Sequence, residues 1–439
     1  MSWWYLIIAI FAFHQLLSWL YFWQIKEYRW DRFWDALKNG EIFWLLKQYD
    51  IRRWYRPKMT LRAIFSLLLG LVLICFLKWW WLLVAPLLVA VIVLGSGPVF
   101  EIQKRRIIGK AKRKMEKFCG VVIGVTGSYG KSSTKEILVG LLKEKYKVAY
   151  TKDNLNSEMG VALSVLSWKG DEEVAVVEMG AYKRGEIRAI CEMVKPEIGI
   201  ITGLGDQHLS LFGSLENLKK AKYELIDSLP KEGKAFVAGK EFSVNELKRR
   251  KVEVDGFSFE YEGEEYKTKL LGAGQMSNVL AAIKVALYLK MTRKEIKKAL
   301  LGLDRDKFWP KMYEVNENLV VIDNSYNASK ESFLSLIDYL ESWKGYSKII
   351  VSPGMIELGK NSKKDHKEIG ERLEKINKFF LTKRNYFEEL NKYGQVEVVT
   401  KNEDLLARLR EEVSKGKVVL AFKSRVSRKL IDQIIKNEF

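Results

Sequence analysis

Thr126, Gly127, Ser128, Gly130, Lys131, Ser132 and Ser133 lie together in the run Val121–Thr134, VVIGVTGSYGKSST. A valine-rich stretch enters this run and a helix-compatible stretch leaves it. Backbone N–H groups in a glycine-bearing turn between strand and helix converge on phosphate oxygens, and the helix start adds partial positive charge. Lys131 is placed to reach the outer phosphates, and a hydroxyl from Ser132 or Ser133 suits Mg²⁺. The chemistry implied is use of a nucleoside triphosphate. The first glycine of the common pattern G-x-x-x-x-G-K-[ST] would fall on Val125. The shorter form here, T-G-x-x-G-K-[ST]-[ST], is a narrower signal.

Other polar residues stand where apolar runs end. Glu178 closes VAVVEMG and Asp323 closes LVVIDNS. His208 lies in ITGLGDQHLSLFGS, Lys222 on the helix that follows, and Asn154 and Asn156 in the amide-rich DNLNSEMG. Open α/β sheets bind ligands at such strand ends. A carboxylate, an imidazole and a loop hydroxyl are suitable components of a Mg²⁺ site. Taken singly, each has a plainer reading: Glu178 as a helix-capping acid, His208 as a structural histidine, Lys222 as a solvated helix lysine.

The elements that must position these residues alternate along the chain. Strands are expected at 121–125, 174–178, 198–202, 235–238, 319–323, 348–351 and 418–422. Helices are expected at 135–145, 218–229, 278–289, 331–341, 364–376 and 425–435. Such alternation predicts parallel sheets covered by helices, an α/β fold. A domain boundary is expected near Gly302–Pro310.

Length suggests about three domains for 439 residues. The formal net charge of +20 points to anionic lipid or phosphorylated ligands. No aromatic-interleaved nucleic-acid motif is present, so nucleic acid is not an expected partner. Cys75, Cys119 and Cys191 are widely spaced, which fits a reducing compartment and no disulfide framework.

The first hundred residues differ from the rest. Met1–Gln24 carries no Lys, Arg, Asp or Glu, Ala63–Leu77 is apolar, and Trp79–Phe100 is again uncharged. Three transmembrane helices are therefore expected. The basic residues of 25–62 and 104–117 then place both segments on the cytoplasmic side, with the N-terminus outside. The expected location is multi-pass in the cytoplasmic membrane, with the catalytic domains in the cytoplasm. Aromatic residues interleaved with the basic ones in 25–62 suggest interfacial helices on anionic headgroups.

The runs GVTGSYGKSSTKEIL, DNLNSEMGVALSVL, VVEMGAYKRGEI, HLSLFGSLENLKKAKYELIDSLP, NVLAAIKVAL, VIDNSYNASKESF and GMIELGKNSKKDHKEIG occur in that order. Together they resemble the Mur ligase family, over roughly Val121–Gly370 with a weaker likeness through Arg425. With the apolar region read as a membrane region over 1–100, the resemblance implies a phosphate-loop central ATP-binding domain over 101–304 and a Rossmann-like C-terminal domain over 305–439. It implies an ATP-dependent, ADP-forming amide ligase of cell-wall precursor synthesis that works through an acyl phosphate. The amine donor would be a peptide or amino acid such as D-alanyl-D-alanine. The carboxylate would belong to a muramyl-peptide-like wall precursor, nucleotide-linked or lipid-linked.

Carried over by residue, the resemblance gives ATP phosphates to Lys131 and the Gly127–Gly130 backbone, and metal-binding roles to Ser132, Glu178, His208 and Lys222. Lys222 matches a lysine that is carbamylated in the family. Gln275 and Asn278 match amides that contact adenine. Asp323 and Asn324 match a nucleotide-contacting strand end. Asn154, Asn156, Tyr326 and Asn327 fall to the substrates. Lys131, His208 and Lys222 carry the catalytic roles. The chain departs from the family pattern at Gly203, where asparagine is common, near Gly274-Gln275, at Lys311, where arginine is common, and at Phe422–Arg425, which lacks a glycine. Only Glu101–Gly120 separates the apolar region from the phosphate loop, so the membrane region is expected to replace the family's uridine-binding domain. Two other readings are a ligase for another wall polymer or polyglutamate-like chain, and a membrane scaffold that binds ATP without turnover.

Overall fold

The structure, a computed structural model, describes residues 3–25, 57, 59–77, 81–205, 212, 214–325, 329–355 and 362–437. The chain divides into two compact units, residues 1–109 and residues 110–439.

The first unit is helical: α1 (Trp3–Ile25), α2 (Leu61–Leu77), α3 (Trp81–Gly95) and most of α4 (Gly97–Met115). Leu16, Trp19, Leu20 and Trp23 of α1 form one apolar cluster with Val89 and Val93 of α3. Gly70 lets α2 approach closely, since a β-carbon there would meet Leu16 Cδ1 at 2.6 Å. His14, Gln15 and Ser18 of α1 and Ser66 of α2 are buried, while Phe65, Leu68, Val72, Val91 and Leu94 are exposed. The Arg62 guanidinium donates to Val93 O at 2.6 Å, tying α2 to the end of α3.

The expectation of three transmembrane spans is corrected here. No described helix is long and apolar enough to cross a membrane. The α2 helix has 17 residues and α3 has 15. At 1.5 Å per residue both fall short of the roughly 30 Å hydrocarbon core. The α1 helix has 23 residues but is interrupted by His14, Gln15, Ser18 and Gln24. Most of the basic segment 25–62, and Lys78–Trp80, lie outside the described residues.

The second unit contains two α/β layers. In the first, β1 (Val121–Thr126), β2 (Val148–Tyr150), β3 (Val174–Glu178), β4 (Ile198–Ile201) and β5 (Lys234–Val237) form a sheet of order β2-β3-β1-β4-β5. All its pairs are parallel. The whole of β3, VAVVE, is buried, as expected of a strand covered on both faces. Helices α5 (Lys131–Leu142), α6 (Glu158–Ser167), α7 (Glu186–Val194) and α8 (Leu215–Asp227) follow the first four strands. A three-stranded antiparallel sheet comes next: β6 (Lys248–Glu253), β7 (Gly256–Tyr261) and β8 (Glu264–Thr268). It packs Phe257, Phe259 and Tyr266 into the core shared with α5, α9 (Met276–Tyr288) and α10 (Arg293–Leu301).

The second layer begins with β9 (Lys311–Asn316) and β10 (Leu319–Asn324). The main elements that follow are α11 (Lys330–Leu340), β11 (Ser347–Ser352), α12 (Ser362–Arg372), β12 (Lys378–Leu381), β13 (Val396–Val398), α13 (Asn402–Ser414), β14 (Val418–Lys423) and α14 (Arg428–Ile435). The strand order is β13-β12-β11-β14-β10-β9, parallel except for the β9 edge. The seven expected strands are present with ends shifted by a residue or so. The sequence reading did not include β2, β6–β9, β12 or β13.

Candidate active site

Parallel pairing of β1 with β3 sets Val125 opposite Glu178, so Thr126 and Glu178 end their strands side by side. The Thr126 hydroxyl donates to Met179 O at 2.7 Å and locks the two strand ends together. The chain then turns through Gly127 (φ +153°) and Gly130 (φ +80°). Neither position has room for a side chain: a β-carbon would run into Thr202 Oγ1 at Gly127, and would meet Asn278 Oδ1 at 2.5 Å at Gly130. Gly130 is the N-cap of α5 and no side chain caps that end. A turn of this shape, with uncapped N–H groups at a 12-residue helix, suits an anionic phosphate. The Lys131 ammonium folds back onto Gly127 O at 2.9 Å and Ser128 O at 3.3 Å. Burial pulls its pKa below the ordinary lysine value, against the pull of Glu178.

Glu178 is the hub. Its Oε1 accepts from the Ser132 hydroxyl at 3.0 Å and from Asn156 Nδ2 at 2.9 Å. Its Oε2 makes no hydrogen bond and lies 3.5 Å from the Lys135 ammonium. The Glu178 N–H donates to Thr151 Oγ1 at 2.9 Å. An open carboxylate oxygen beside a serine hydroxyl is hard oxygen chemistry that fits Mg²⁺. Ser132 and Glu178 would hold the ion, which would supply charge neutralisation at the transferring phosphoryl group. Asn154 sits on an exposed turn, its carbonyl accepting from the Asn156 N–H at 2.8 Å. Ser133 lies next in α5, half-buried.

Lys222 is buried on α8, with Phe212 below it: the ammonium stands 6.0 Å from that ring. Burial first, and then the Lys131 charge, bring the Lys222 pKa down to about 7. His208, Tyr326 and Asn327 lie outside the described residues. Among the described residues no cluster of three metal-binding side chains occurs.

The two expected adenine amides are joined to each other. Asn278 Nδ2 donates to Gln275 Oε1 at 2.8 Å, and Asn278 Oδ1 accepts from the Thr134 hydroxyl of α5 at 3.1 Å. Gln275 Nε2 donates to Trp309 O at 2.8 Å, so this pair also holds the link to the third domain. Lys311 places its ammonium 5.4 Å from the Trp309 ring centre. In the third domain Asp323 is fully buried and pairs with Arg428 of α14 at 2.7 Å. Asn324 is buried beside it at the end of β10.

Sequence reasoning did not include Lys135, although it lies one turn beyond Lys131. Its buried ammonium donates to Thr151 O at 2.8 Å and Asp153 O at 3.0 Å, and pairs with Glu136 at 3.1 Å. It thereby fixes the amide-rich loop against Glu178. Spacing of four on one helix face was the available signal. Lys423 was read only as part of the departing Phe422–Arg425 run. It is fully buried, its ammonium donates to the Ser332 hydroxyl at 2.5 Å, and burial brings its pKa down to about 7.

A short phosphate loop on a parallel sheet, a carboxylate hub beneath it and a second α/β layer joined through the Gln275–Asn278 pair define an ATP-using α/β enzyme. Residues 125–264 match the Mur ligase middle domain, and residues 311–425 match the Mur ligase, glutamate ligase domain. The UDP-N-acetylmuramoyl-tripeptide–D-alanyl-D-alanine ligase of Bacillus subtilis is 30% identical over 360 residues, covering 74% of this chain and 78% of that protein. The Borreliella burgdorferi enzyme of the same name is 34% identical, over 56% of this chain and 58% of that protein. Among solved structures, the MurF ligase of Thermotoga maritima in complex with ADP superposes with a TM-score of 0.64 at 29% identity, covering 76% of this chain and 84% of that one. The chain belongs to the Mur ligase family. It is an ATP-dependent, ADP-forming carbon–nitrogen ligase that uses Mg²⁺.

Proposed function

We propose that this protein joins D-alanyl-D-alanine, or a closely similar amine-bearing peptide, to the terminal carboxylate of a nucleotide-linked muramyl peptide in wall-precursor synthesis. The observation that carries the reading is the hub at Glu178, set beneath the phosphate loop and tied through α5 to the Gln275–Asn278 amides. The substrate carboxylate attacks the γ-phosphorus of ATP, and ADP leaves. The resulting acyl phosphate is attacked by the amine, and inorganic phosphate leaves from the tetrahedral intermediate. Lys131 stabilises charge on the phosphoryl oxygens. Asn156 orients Glu178, and seating of the third domain excludes water from the acyl phosphate. Carbamylation of Lys222 would convert a buried cation to an anion beside Lys131, and the lowered pKa supplies the neutral amine that CO₂ requires. The acyl acceptor could also be lipid-linked.

For location, we propose that the first unit associates with the cytoplasmic membrane, with the catalytic layers on the cytoplasmic side. Its α2 exposes Phe65, Leu68 and Val72, and its α4 exposes Val99 and Ile102 one turn from exposed Arg105 and Arg106. That pairing suits an interfacial position on anionic lipid.

The test is mass spectrometry of products after incubation with ATP, D-alanyl-D-alanine and either a UDP-linked or a lipid-linked muramyl tripeptide. The expected result is ADP, phosphate and a precursor heavier by one dipeptide. No gain in mass with either precursor would overturn the substrate assignment. Flotation of the full chain with vesicles of anionic or zwitterionic phospholipid tests location; recovery in the dense fraction with both would overturn it.

A further inference from the structure

Tyr129 stands in the middle of the phosphate loop, and its backbone is held from one side. It pairs with Gly203 in an antiparallel bridge, and the Ser128 N–H donates to Gly203 O at 2.6 Å. The Thr202 hydroxyl donates to Tyr129 O. These contacts lay the phenol ring across Gly203, where a β-carbon would run into ring atoms Cε2 and Cζ. Glycine at 203 is thus the partner of tyrosine at 129. The ring then passes Gly205. A β-carbon built there would lie 3.2 Å from Tyr129 Cε1 and 3.5 Å from Glu331 Oε1. The ring edge and the carboxylate therefore converge on one point, one from the phosphate loop and one from the first turn of α11 in the third domain. Burial, and then the Glu331 charge, hold the phenol above its usual pKa, so it remains a donor at neutral pH.

We propose that Tyr129 is a positioning residue that couples the phosphate loop to the third domain through Glu331, so that filling the loop with nucleotide also seats α11 over it. A protonated phenol is a donor, an ionised carboxylate an acceptor, and a hydrogen bond between them is charge-assisted. The coupling is indifferent to which amine and carboxylate are joined, so it goes beyond the substrate reading above and can be tested with nucleotide alone.

The experiment uses the full chain with Tyr129→Phe, Glu331→Gln and the double variant. Tyr129→Phe keeps the ring over Gly203 and removes only the hydroxyl. Three quantities are read: affinity for ADP, hydrogen exchange of residues 330–340 with and without ADP, and kcat against KM for ATP. The expected result is ADP affinity within about twofold of the parent, loss of the ADP-induced slowing of exchange, and kcat lowered about tenfold with KM little changed. The double variant should be no worse than either single one. Retained ADP-induced protection in Tyr129→Phe, or losses that multiply in the double variant, would overturn the proposal. A second arm checks the ring's position. Gly203→Asn should abolish ADP binding, and Tyr129→Ala in that background should restore it; a fully active Gly203→Asn with Tyr129 intact would overturn it.

Discussion

Lys222 and Lys423 are both buried amines near pKa 7, with different consequences. Lys222 stands beside Lys131, where a neutral amine can take up CO₂. Labelled bicarbonate should enter the intact protein at pH 8, with turnover falling in CO₂-depleted buffer, and Lys222→Arg should show neither effect. Lys423 has no carboxylate partner among the described residues and donates to Ser332. Its folded pKa, about 7, lies below the unfolded value near 10.4. Between those values the unfolded chain holds more protons, so stability rises with pH through that window and is flat below about 7. Lys423→Met should remove this slope, seen as denaturant midpoints at several pH values, and raise stability at pH 7 by about 1–2 kcal/mol. A steeper slope in the variant would refute the assignment. At this scale the loop residues were legible because glycine, lysine and serine spacing has a single common use. Lys135 was not legible, since a buried lysine and a solvated one look alike in a sequence.

The element that carries the nucleotide chemistry is the turn from β1 to α5. Gly130 is left-handed and backs onto Asn278. Gly130→Ala should therefore displace both the turn and the amide pair. The expected loss of ADP affinity is at least about tenfold with the fold intact, measured by titration calorimetry and circular dichroism. Unchanged affinity would show that the turn tolerates a side chain. The buried parallel strands were legible as continuous apolar runs, β3 most plainly. The β6–β8 sheet was not. Lys248–Glu253 and Glu264–Thr268 are mostly charged on their outer faces, and their few inward residues, such as Val252 and Tyr266, give too short an alternation to separate from loop. The helix at α5 was placed late because Gly130, and not an apolar residue, sets its start.

At the scale of the whole molecule, Gln275 joins Asn278 to the linker carbonyl at Trp309. Gln275→Leu keeps the bulk and removes both bonds. It should lower ATP affinity by about tenfold and increase proteolysis near 302–310, with little change in melting temperature. Protection equal to the parent would sink this link. The α/β class and the order of the two catalytic layers were legible from alternation alone. The first unit was misread. Long uncharged runs suggested spans, whereas the described helices cover 15 to 17 residues or, in α1, carry buried polar side chains at His14, Gln15 and Ser18.

The boundary between the two α/β layers is also less clean than the linker implies. Val252, Val254 and Leu271 come from the earlier layer, yet they belong to the apolar cluster of Phe333, Leu336 and Tyr339. The Tyr339 hydroxyl donates to Val254 O at 2.6 Å. A chain severed at the linker would not yield two self-sufficient halves. Each fragment would carry part of the other's interior on its surface, so the fragments would reassociate when mixed fresh and precipitate when kept apart.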